Sequence, residues 1–65
     1  MSTSDVAELS SLRAQLEDLT TRVVAVFERY DQSPDSKVAA DLLAAERSLL
    51  GAGRALDRAI GHLTP

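Results

Sequence analysis

Cysteine and tryptophan are absent from this 65-residue chain, and histidine, tyrosine, phenylalanine and methionine occur once each. Without cysteine, no disulfide can staple so small a domain, and no thiol can act as nucleophile or soft metal ligand. The single imidazole, His62, cannot build a zinc site by itself. No cofactor and no metal are therefore expected. Basic charge is not in excess either: seven Lys and Arg stand against ten Asp and Glu, a net charge of −3. That balance argues against broad attraction to nucleic acid or anionic lipid. No apolar run approaches the roughly 20 residues of a bilayer span. The start, Met1-Ser2-Thr3-Ser4-Asp5, is polar and unlike a signal peptide, so a cytoplasmic location is expected.

What the chain does have is heptad order. Leu9, Leu12, Leu16, Leu19, Val23, Val26 and Tyr30 alternate spacings of three and four, and so do Val38, Leu42, Ala45, Leu49, Ala52, Leu56, Ala59 and Leu63. Such stripes are the mark of helices that pack along a seam. Between them lies Asp31-Gln32-Ser33-Pro34, a polar break in which Ser33 suits an N-cap, Pro34 the first helical position and Asp35 the first turn. A connection this short makes the helices antiparallel neighbours. The spacing predicts an all-α, coiled-coil-like two-helix hairpin. A disordered tail over 1–4 precedes one domain over 5–63, with helix 1 about 5–30, a turn at 31–33 and helix 2 about 34–61. Asp5 and Glu8 have capping-box spacing, and Gly61 is a candidate stop signal.

The flanks of the two stripes differ. Helix 1 carries Glu17, Asp18 and Glu28 on its outer side, with Val6, Val24 and Phe27 widening its seam. Helix 2 has spare leucines at Leu43 and Leu50 and a smooth strip of Ala44, Ser48, Gly51 and Ala55. An element apolar or small around most of its circumference belongs inside an assembly. Gly51-Ala52-Gly53 would cost about 1 kcal/mol per glycine relative to alanine. It reads either as a kink or as a place where another backbone crosses closely, and the unbroken phase of Leu49, Leu56 and Leu63 favours a continuous helix. Val24, Phe27, Leu43, Ala44, Leu50, Gly51, Gly53 and Ile60 are accordingly the expected partner interface.

Other constellations are weaker. The serines lie in caps or on helix surfaces, and two helices offer no concave pocket to desolvate a catalytic group, so the chain is not expected to be an enzyme. Asp31-x-Ser33-x-Asp35 imitates the start of a calcium loop, but Ser36 stands where Gly is needed and Leu42 where a bidentate Glu is needed. Arg54-x-x-Asp57-Arg58 puts two guanidiniums and a carboxylate on one helical surface, a weak candidate for gripping a cyclic dinucleotide. In architecture the hairpin resembles a sigma-factor-binding family clamped by such a ligand. That family's Glu-x3-Ser-x2-Arg-x3-Gln-x3-Asp string is absent from both helices. In size and layout the chain also resembles the plasmid-borne hairpin dimer that binds paired RNA loops. The acids on helix 1 oppose phosphate, and Arg47, Arg54 and Arg58 are few.

The functional expectation is thus a non-enzymatic, self-associating interaction module with a structural or regulatory role. Its simplest assembly is a homodimeric four-helix bundle with the helix 2 pair at its centre. The alternative is a regulatory subunit that binds a different protein, a sigma factor or an enzyme, and responds to a cyclic dinucleotide. An RNA-binding four-helix bundle is third.

Overall fold

The computed structural model describes residues 3–33 and 36–64. Two α-helices, α1 (Thr3–Phe27) and α2 (Lys37–Leu63), lie side by side, and no strand occurs among the described residues. They form a flat rod with Cα extents of 50 × 15 × 11 Å.

α1 begins at Thr3, so Asp5 sits in the first turn, where its charge complements the helix dipole. Met1, Ser2 and the expected cap partners Pro34 and Asp35 lie outside the described residues. At its other end α1 stops at Phe27 rather than Tyr30. There the regular ladder gives way to tighter turns, with Arg29 N–H donating to the Val26 carbonyl, Tyr30 N–H to Phe27 and Ser33 N–H to Tyr30. α2 starts later than the Ser33-Pro34 signal suggests. Ser36, at φ −72° and ψ 109°, is its N-cap, and its hydroxyl accepts from the Ala39 N–H at 3.0 Å. Gly61 does not end α2. The helix runs on to Leu63, and Thr64 closes it by donating its N–H and its hydroxyl to the Ile60 carbonyl.

The seam is not the one that the apolar residues alone predict. On α1 the half-buried positions that recur at heptad spacing are Val6, Leu9, Arg13, Leu16, Thr20, Val23 and Phe27; on α2 they are Ala39, Leu42, Glu46, Leu49, Leu56, Ile60 and Leu63, with Gly53 fully buried among them. Half of each expected stripe is kept. Of the other half, Leu12 and Leu19 on α1 with Val38 and Ala52 on α2 turn out to solvent in favour of the next residue along, while Val26, Ala45 and Ala59 stay half-buried beside it. The rotation brings bulky Val6, Phe27 and Ile60 inward at the two ends. In the middle it admits Arg13, Thr20 and Glu46. Thr20 tolerates the position because its hydroxyl donates to the Leu16 carbonyl at 2.8 Å, which satisfies it within its own helix.

The observed cap makes a simple prediction. Ser36→Ala removes the side-chain acceptor for the Ala39 N–H and costs about 1 kcal/mol. In a domain this small the melting temperature falls by roughly 4–8 °C. Ser33→Ala leaves the melt unchanged. Thermal unfolding followed by circular dichroism distinguishes the two serines.

Candidate partner interface

One contact between the helices is built from three residues. Arg13 reaches out of α1 across α2, and its guanidinium lies directly on Gly53; a Cβ at that glycine would stand 3.0 Å from Arg13 Cζ. One turn further along α2, Asp57 receives the guanidinium, with Nε donating to Oδ1 at 3.0 Å and NH2 to Oδ2 at 3.4 Å. The hydrogen bond to Asp57 raises the Arg13 pKa above its ordinary value, desolvation opposes the rise, and the charges of Asp57 and Glu17 add to it. Both side chains stay in touch with solvent, 32% and 57% exposed, so the pair positions the helices more than it stabilises them.

This geometry accounts for the Gly51-Ala52-Gly53 segment. α2 continues through it without a break, and what crosses at Gly53 is a side chain, not a backbone. Gly51 is different: a Cβ there would meet Arg54 Nη2 at 3.8 Å, ordinary contact distance. The Arg54, Asp57 and Arg58 set is also rearranged, since Asp57 bonds to Arg13 of the other helix and leaves Arg54 and Arg58 on the exposed surface.

Of the expected interface residues, Val24, Phe27, Leu43, Gly51 and Ile60 are half-buried within the hairpin, Gly53 is buried beneath Arg13, and Ala44 and Leu50 are exposed. Leu50, 47% exposed, borders a groove with Arg13, Glu17, Thr20, Thr21, Leu49 and Gly53. That defines one flank of the rod. The residues that turned out of the seam define the other, because each precedes a seam residue and, in an antiparallel pair, such positions on both helices fall on the same side. Leu12 is 40%, Leu19 45% and Val38 48% exposed, and Ala52 is exposed beside them. Leu19 and Val26 border a second groove with Arg22, Val23, Arg29 and Leu42. Sequence reasoning placed Leu12, Leu19 and Val38 inside the hairpin and passed over Arg13. The missed signal was a long side chain at seam spacing on one helix and a glycine at seam spacing on the other.

Among the described residues, no group of acidic, histidine or cysteine side chains could hold a metal ion, and no helix is long and apolar enough to cross a membrane. The chain matches no family model, no curated protein and no solved structure with which it was compared.

The two glycines respond oppositely to alanine. Gly51→Ala gains about 1 kcal/mol of helix propensity and raises the melting temperature. Gly53→Ala gains less, or loses, because the new methyl displaces Arg13 from its seat. In an Arg13→Ala background Gly53→Ala recovers the full gain. A double-mutant cycle over the two positions by thermal melting reads this coupling.

Proposed function

We propose that the chain is a non-enzymatic interaction module, cytoplasmic and structural or regulatory in role, that works by self-association into a four-helix bundle. One observation carries this reading. No apolar side chain is buried among the described residues, while Leu12, Leu19 and Val38 stand exposed on a single flank. In a free hairpin an apolar stripe points at its one neighbour. In a four-helix bundle it points between two neighbours, toward the bundle axis. Both helices carry their stripes turned to the same side of the line that joins them, which suits the second arrangement. A small chain without disulfide or metal also needs a partner to complete its core.

Leu50 favours a second reading that is compatible with the first. It lies on the opposite flank, and its groove mixes Leu49 and Leu50 with Arg13, Glu17 and two threonines. A different protein, a sigma factor or an enzyme regulated by the dimer, suits that more polar surface. Beyond the exposed Arg47, Arg54 and Arg58, no observation favours the cyclic-dinucleotide or RNA readings.

Light scattering is expected to give twice the 7.0 kDa chain mass. Leu19→Glu places two carboxylates in the shared apolar layer and weakens the dimer at least ~100-fold, the equivalent of about 2.7 kcal/mol. Leu50→Glu leaves the mass doubled and disturbs only a heterologous contact. A monomeric wild-type chain with a sharp melt would overturn the self-association.

A further inference from the structure

Granted the self-association proposed above, the geometry points to one arrangement of the two copies. α1 of each hairpin lies over α2 of the other, with the twofold axis parallel to the helices. The rival arrangement sets α1 on α1 and α2 on α2, with the axis across the helices and the α2 pair in contact.

Taking Arg13 as level with Gly53, on which its guanidinium rests, sets the approximate level of the antiparallel helices. Six residues on, Leu19 is level with Arg47, so its neighbours on the shared flank of α2 are Ala45 and Ser48. Leu12 is level with Arg54, and its neighbours are Ala52 and Ala55. A twofold axis along the rod keeps these levels between copies. Each leucine of one hairpin then drops onto a pair of small residues of the other, and both edges of the layer close to the same spacing. The rival arrangement stacks leucine on leucine along one edge and alanine on alanine along the other. The leucines prop the hairpins apart while the alanines face a gap, and an unfilled gap costs stability.

Charge fits the same arrangement. Glu8 and Asp41 are exposed at the margins of the flank and have no ion-pair partner among the described residues. Among the described residues Arg22 pairs with Asp18 of its own helix, at 3.8 Å, with both side chains more than 70% exposed. With α1 over α2 the Arg22 side chain reaches the partner's Asp41, and Glu8 stands near the partner's His62. The flank is also large enough. A face with Cα extents of 50 by 15 Å is of the order of the ~800 Å² per partner that a stable interface buries.

The chain has no cysteine, so single cysteines report the arrangement cleanly. Leu12→Cys and Ala52→Cys proteins are mixed and treated with a short thiol-to-thiol crosslinker, and Gln15→Cys, at the middle of α1, is treated alone. Light scattering on each sample gives the mass. The expected result is a doubled mass, with the Leu12→Cys/Ala52→Cys hybrid severalfold more abundant than either self-coupled species and no self-coupling of Gln15→Cys. A doubled mass with self-coupled Gln15→Cys, or with no hybrid, overturns the arrangement and leaves self-association standing. A monomeric mass overturns both.

Discussion

The seating of Arg13 on Gly53, secured by Asp57, ties one helix to the other at a defined place on the seam. A guanidinium is planar and fits flat against a backbone that lacks a Cβ. An alanine at 53 would bring the methyl within 3.0 Å of Arg13 Cζ. With Arg13 in the seam, the positions at heptad spacing from it, Val6, Thr20 and Phe27, are half-buried too, and Leu12 and Leu19 are exposed at the side. The ion pair contributes little net stability because water reaches both ends of it. Its consequence is directional: a polar contact with one good geometry selects one register among several that an apolar seam tolerates.

That selection leaves the hairpin with two unlike flanks. One presents leucines of α1 beside alanines of α2, and the other presents Leu50 among charged and hydroxyl side chains. The absence of any buried apolar side chain among the described residues means that the first flank is the natural place for further burial. The proposed bundle and its orientation both rest on this division.

Much of the architecture was legible in the residues. Heptad spacing gave two helices, the polar segment after Tyr30 gave the turn, and the continuous phase of Leu49, Leu56 and Leu63 gave an unbroken α2 through its glycines. The cap was legible in kind but not in place, since Ser33 and Ser36 are chemically equivalent and only the start of α2 at Lys37 chooses between them. The residues expected together at a partner interface are divided by the hairpin. Leu50 fell on one flank, Val24, Phe27, Leu43 and Ile60 went into the hairpin, and Leu12 and Leu19 came out of it.

The sequence by itself determined that there are two helices, that each is apolar along one side, and that no disulfide holds them. These are local or compositional properties, set by spacing, capping residues and the absence of cysteine. Only the tertiary structure decided which half of each stripe meets the other helix. The two candidate stripes of α1 share Leu9, Leu16 and Val23 and differ by a rotation of only about 50°, too little for hydrophobicity to discriminate. The stripe that the hairpin uses is the one that carries the long-range contact between residues 44 apart in the chain, Arg13 and Asp57, with Gly53 as the opening that lets them meet.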